Sequence, residues 1–233
     1  MKTAIATIII ASSVQTFAQG TFENLNFEQA SPVPVVGSPY YPYAVTTASA
    51  VPFWTVYYGN TPQSQILYNT MSLGAPEVDL FGPNNGVGDP GVIDGNYSVG
   101  LKSGFGPGFV PQSVSLWQNG TMPANAESLE FDAANFGGGT PLSVSFAGDN
   151  LTLFVLSSAV APSGQPYSVY GANIAPYAGQ TGQLEFTATF YNWVELDDIS
   201  FSTQAIPEPS PLALTGIGGF LFALYRRLSP RRR

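Results

Sequence analysis

Residues 142–156 read LSVSFAGDNLTLFVL, and this stretch decides the fold class. Leu142, Val144 and Phe146 alternate with serine, then Leu151, Leu153 and Val155 resume the alternation after Ala147-Gly148-Asp149-Asn150. A period of two places every second side chain on one face of a strand, so one face of each run is apolar and the other wet. Four turn-forming residues lie between the runs. The stretch therefore predicts a β-hairpin spanning Leu142–Leu156.

The same pattern extends in both directions. Alternating or β-branched runs occur at Glu23–Glu28, Phe53–Tyr58, Val78–Phe81, Tyr97–Leu101, Ser113–Trp117, Ser128–Phe131, Tyr167–Tyr170, Leu184–Phe190 and Glu195–Phe201. Clusters of Gly, Pro, Asn and Asp separate them, as at 82–91, 104–111 and 137–141. No segment between the termini keeps a 3.6-residue apolar period, so helix is expected only in short turns. Many short strands with polar turns predict an all-β sandwich or barrel.

Charge is distributed unevenly. Lys2 and the five arginines Arg226, Arg227, Arg231, Arg232 and Arg233 lie at the termini, and Lys102 is the only basic residue of 19–205. Fourteen acids in that body leave it at a net charge of −13, against −8 for the whole chain. Nucleic-acid binding needs Lys and Arg to displace counterions from phosphates, so that class is excluded. Cysteine and histidine are absent. No disulfide can staple the body, zinc loses its preferred ligands, and Ser-His-Asp or Cys-His nucleophiles cannot be built. Hard cations such as calcium still have carboxylates and carbonyls available. At 187 residues the body is large enough to bury a core as one domain.

The termini read as targeting segments. Met1-Lys2, an apolar stretch from Ala4 to Val14 and Thr16-Phe17-Ala18 match a secretory signal peptide cut after Ala18. At the other end Ile206 to Arg233 places Pro207-Glu208-Pro209 before an uncharged apolar run from Leu212 to Tyr225, and then the arginines. Fourteen residues make about 21 Å of helix at ~1.5 Å each, shorter than a ~30 Å bilayer core and suited to a temporary transmembrane helix. Arginines at its end resist translocation. The tripartite tail resembles the PEP-CTERM sorting signal. That resemblance implies recognition by an exosortase after passage through the secretion translocon, with an inner-membrane intermediate and a final place at the cell surface or outside. The expected organisation is a signal helix at 1–18, a β-sandwich at 19–205 and a sorting signal at 206–233.

Asn24-Leu25-Asn26-Phe27-Glu28 opens the body, Pro52-Phe53-Trp54 follows, and Leu196-Asp197-Asp198-Ile199-Ser200-Phe201 closes it. These elements resemble galactose-binding-like jelly rolls, a group that includes many carbohydrate-binding modules. The resemblance implies a jelly-roll β-sandwich with its first and last strands adjacent. It also implies a structural calcium ion held by Glu28 and one of Asp197 or Asp198. Alternation puts Leu196 with Asp198 and Asp197 with Ile199, which favours Asp198 as the ligand.

Exposed aromatic faces stack on the C–H faces of sugars, and Tyr40, Tyr41, Tyr43 and Trp54 are the candidates for such a platform. Tyr and Trp equally fill sandwich cores, and part of the Trp54–Tyr58 stretch must do so. A glycosidase needs two carboxylates about 5–9.5 Å apart. Glu130 and Asp132 share a strand face, but nothing in the sequence marks them as a cleft pair. The expected function is a non-catalytic exported surface or matrix protein associated with exopolysaccharide. The alternatives are a carbohydrate-binding module, predicted to be retarded by polysaccharide, and a polysaccharide hydrolase.

Overall fold

A computed structural model describes residues 20–70, 74–83, 91–135, 142–189 and 192–206. The signal segment at 1–18, Pro207 to Pro209, Leu212 to Tyr225 and the terminal arginines lie outside the described residues. Among the described residues no helix is long and apolar enough to cross a membrane.

In chain order the strands are β1 (Ala44–Thr46), β2 (Thr55–Tyr58), β3 (Thr61–Pro62), β4 (Gln65–Tyr68), β5 (Glu77–Phe81), β6 (Ser98–Lys102), β7 (Gly104–Phe105) and β8 (Pro111–Gln112). They continue as β9 (Val114–Thr121), β10 (Ser128–Asn135), β11 (Ser143–Phe146), β12 (Asp149–Asn150), β13 (Leu153–Val160), β14 (Pro166–Asn173), β15 (Thr181–Ala188) and β16 (Trp193–Ser202). One four-residue helix, Thr47–Ala50, interrupts them. An eight-stranded sheet runs β1-β4-β5-β6-β16-β10-β14-β13, and a six-stranded sheet runs β12-β11-β15-β9-β2-β3. The hairpin β7–β8 stands apart. All pairings are antiparallel except β4 with β5. The chain is a β-sandwich.

Alternation builds its core. Val78, Leu80, Val99, Leu101, Leu129, Phe131 and Leu196 from the larger sheet meet Val56, Val114, Leu116, Val144, Phe146, Leu184 and Phe186 from the smaller one. Phe131 and Phe186 join the sheets edge to face, with ring centroids 5.4 Å apart. Each such side chain contributes about 1.5–3 kcal/mol by leaving water.

Three expectations change. The 142–156 stretch is not one hairpin. β11 and β12 do pair around a turn in which Ala147 (φ 51°) and Gly148 (φ 90°) both take positive φ, the requirement of a type I′ turn. After Leu151 donates to the Val144 carbonyl at 2.8 Å, the chain crosses, and β13 becomes an edge of the other sheet. Alternation specifies faces and leaves partners open.

The opening run Glu23–Glu28 is not a strand. Asn24 (φ 50°) and Phe27 (φ 57°) coil it, and Asn24 holds the coil by accepting from the Gln29 N–H at 3.0 Å. Phe22, Leu25 and Phe27 are still buried. Opening and closing segments do meet, through Ile199 N–H donating to the Leu25 carbonyl at 3.0 Å and Phe22 packing on Phe201.

The third change concerns the closing strand. Glu130 faces Ser200 but Asp132 faces Asp197, so Asp198 and Ile199 together oppose Phe131 as a β-bulge. Leu196 and Ile199 both turn into the core as a result. Asp198 takes φ 48° on the bulge and is exposed, while Asp197 is buried on the outward face.

Candidate functional site

A groove of about 470 Å³ opens on the flank where β2, β3, β4 and β5 converge and the β7–β8 hairpin closes over them. Tyr40, Tyr58 and Phe105 supply its aromatic surface, and Thr61, Gln63, Gln65, Glu77 and Gln112 its polar one. Tyr40 is half exposed in a tight turn whose carbonyl accepts from the Tyr43 and Ala44 N–H groups at 2.8 and 3.1 Å. Tyr58 is fixed differently. Its hydroxyl accepts the Val78 N–H at 2.9 Å, and burial holds its pKa well above the ordinary phenol range. It is therefore a wall of the groove and never an acid at physiological pH.

The amides are placed by backbone. Gln63 N–H donates to the Val56 carbonyl and its Nε2 to Thr61 O at 2.8 Å, so its Oε1 keeps its capacity to accept. Gln112 lies against Gly106 so closely that a Cβ there would sit 2.3 Å from its Cδ. A side chain at Gly106 would therefore displace the Gln112 amide from the position it takes beside the groove. Glu77 accepts from Lys102 Nζ at 3.0 Å and is nearly buried. An aromatic surface beside several neutral amides can take a ligand that has apolar faces and many hydroxyls. The volume lies within the ~300–1,000 Å³ range of small-molecule pockets.

Of the four aromatic residues singled out in the sequence, only Tyr40 lines this groove. Tyr41 and Tyr43 stay exposed outside it. Trp54 is a correction: it is 5 % exposed, its ring packs on Phe27 and Phe186, and its Nε1 donates to the Asn24 carbonyl at 3.0 Å. No face of that indole is left for a sugar. The residues that sequence reasoning missed are Gln63, Gln65, Phe105 and Gln112. Their signal was present as two glutamines directly after the Tyr57-Tyr58 strand, and as an aromatic inside the Gly104–Pro111 turn cluster.

A second feature collects acids around residues 93–98. Glu28 clamps this loop, accepting from Asn96 N at 2.7 Å, Asn96 Nδ2 at 2.9 Å and Tyr97 N at 3.0 Å. Asp197 holds it from the other side, accepting from Asp94 N at 3.1 Å, Ser98 Oγ at 2.7 Å and Asp198 N at 2.8 Å. Burial first, then the charges of Asp198, Asp94 and Glu130, push Asp132 up to about 7. Burial, with Asp94 adding to it, also raises Asp198. Asp198 lies near Asp94 and Asp132, whereas the Glu28 oxygens already serve three N–H donors. Among the described residues no three acidic side chains are grouped to hold a metal.

Glu195 escaped notice in the sequence. It is fully buried on the outward face of β16, opposite Gly100 of β6 and Ala134 of β10. Neither carboxyl oxygen has a hydrogen-bond partner among the described residues. Burial, and then the charge of Asp197, push it up to about 8, with the nearby Ser98 hydroxyl offsetting part of the rise. The Ser98 hydrogen itself goes to Asp197.

No family model matches the chain, and no curated protein does either. Among solved structures, the chain is similar at 16% identity to TmCBM61 in complex with β-1,4-galactotriose, covering 79% of this chain and 98% of that one with a TM-score of 0.35. It is similar at 15% identity to the K2 cleaved adhesin domain of Lys-gingipain, covering 76% and 94% with a TM-score of 0.38. A third likeness, at 14% identity and a TM-score of 0.34, is to the enzymatically active domain of bacteriophage CBA120 tailspike protein 4. It covers 64% of this chain but spans only 19% of that one. Likenesses at these scores carry no argument, and the reading of the groove rests on its geometry.

Proposed function

We propose that this protein is a non-catalytic carbohydrate-binding β-sandwich whose ligand lies in the groove between Tyr40 and Phe105. The observation that carries this reading is the convergence there of half-exposed aromatic surface with the neutral amides of Gln63, Gln65 and Gln112. Aromatic faces take up the C–H side of a sugar ring, and amides both donate to and accept from its hydroxyls. Glu77 is held by Lys102, so it is already engaged as an ion-pair partner. The terminal segments add a setting to the proposal. A signal peptide and an exosortase-read tail would bring the body to the cell surface or outside, where exopolysaccharide is the available ligand. A jelly-roll topology, with a transient membrane helix formed by the tail, belongs to the same proposal.

Electrophoresis of the full chain through gels containing a panel of polysaccharides tests it. Retardation is expected for at least one. Tyr40→Ala should weaken it about tenfold, or roughly 1.4 kcal/mol, without moving the melting midpoint, because Tyr40 is half exposed. Migration unchanged by every polysaccharide would remove the proposal.

Calcium is a separate proposal, supported by the like charges of Asp94 and Asp132 acting on the exposed Asp198. Calorimetric melting with calcium and then with EGTA checks it. A cation on Asp198 and its neighbours raises the midpoint by binding only the folded state. An unmoved midpoint would remove calcium from the account and leave Glu28 as a loop clamp alone.

A further inference from the structure

The two sheets have four lateral edges, and three of them are short: β1 has three residues, β3 two and β12 two. β1 is also partly covered through its bridge to Pro34. β13 differs. It is an eight-residue edge strand paired, among the described residues, on one side only, with β14. Val155, Leu156 and Val160 are exposed on it at 60, 37 and 67%. The edge carries no charge and no proline. From Asn150 to Leu184 the chain has no Asp, Glu, Lys or Arg at all, although the body around it is strongly acidic. Exposed edges are usually blunted by shortness, proline or charge. Shortness, proline and charge are absent from β13; the blunting device it has is a bulge between Val155 and Ser157 in its pairing with β14.

We propose that β13 is a self-association edge, at which two copies of this chain pair antiparallel and join their eight-stranded sheets across a twofold axis. Charge selects a second copy as the occupant. Two bodies of net charge −13 repel wherever acids face each other, and the uncharged β13–β14 hairpin is where they can approach without that cost. A twofold interface is self-complementary, so one uncharged apolar strand satisfies both partners. The chain's own tail is the competing occupant, because Ile206 lies beside Leu156 over Gly171. Pro207, Pro209 and Pro211 follow directly and remove the N–H groups from one side of that segment, so it could pair through its other side alone. This inference goes beyond carbohydrate binding and does not depend on it.

Sedimentation velocity of the full chain in mild detergent, across a range of concentrations, reads the outcome. A monomer–dimer equilibrium is expected, with hydrogen-exchange protection of residues 153–160 rising with concentration. The double substitution Val155→Glu and Val160→Glu should raise the dissociation constant at least about tenfold. Val36→Glu, in an equally exposed loop, should leave it unchanged. A chain that stays monomeric, or a dimer untouched by the double substitution, overturns the proposal. Concentration-independent protection of 153–160 that is lost on cutting the chain after Ile206 assigns the edge to the tail, and overturns it equally.

Discussion

Trp54→Ala is expected to destabilise the fold by about 3–5 kcal/mol while leaving polysaccharide affinity of the folded protein unchanged. The indole is 5 % exposed and fills the space between Phe27 and Phe186, so its removal leaves a cavity that neighbouring backbone cannot close. The Asn24 carbonyl also loses the donor it meets at 3.0 Å, and Asn24 organises the coiled opening segment. The two losses share neighbours, so their effects will not simply add. Urea unfolding measures the first quantity and gel retardation below the transition measures the second. The result separates two roles a tryptophan can take. If affinity falls at unchanged stability, Trp54 belongs to a binding surface and the packing described above is wrong.

Raising the pH should destabilise this protein across a window where most proteins are indifferent. Glu195 titrates at about 8 in the fold against an ordinary 4.5, so the folded state keeps a proton that the unfolded chain has released. Its contribution is fully present below about pH 4.5 and is lost as pH rises through about 8. The groups facing it are Asp197 on its own strand, Ser98 and Gly100 on β6, and Ala134 on β10, none of which supplies a positive charge. Ionised, Glu195 is a buried charge without a described partner, at a penalty of roughly 3–5 kcal/mol. For a domain of this size that lowers the midpoint by roughly 10 °C between about pH 5 and pH 9. Glu195→Gln should reduce the dependence, leaving the part carried by Asp197 (about 8) and Asp132 (about 7), and be the more stable protein at the alkaline end. An equal slope in wild type and variant would show that Glu195 is not the group that titrates.

The strands were legible wherever apolar residues strictly alternate. Ser143–Phe146 and the 184–188 part of β15 follow from the requirement that one face be buried, and so do most of the core positions. Pairing was not legible, because period-two alternation is identical whichever sheet a strand joins. β13 shows this, since it leaves the partner that its sequence neighbours suggest. The bulge at Asp198 and Ile199 was hidden for a related reason. One extra residue resets the faces, and only the opposing strand reveals it. The lining of the groove was legible only at Tyr40. Tyr40 was marked by its aromatic neighbours, whereas Phe105 and Gln112 reach the groove through a hairpin whose position depends on contacts far away in sequence. Glu195 looked like an ordinary strand carboxylate because its burial comes from the elements around it.

β16 is the last of the described strands, and it lies in the middle of the larger sheet, between β6 and β10. During synthesis the two halves of that sheet are made first and wait with facing edges unpaired. They close only when residues 193–202 arrive. Until then β6 and β10 each present a row of free N–H and C=O groups, the arrangement that holds a chain open to chaperones and also to misassembly. Nascent chains stopped before Trp193 should remain protease-sensitive throughout, and those released after Ser202 should become resistant together, in one step.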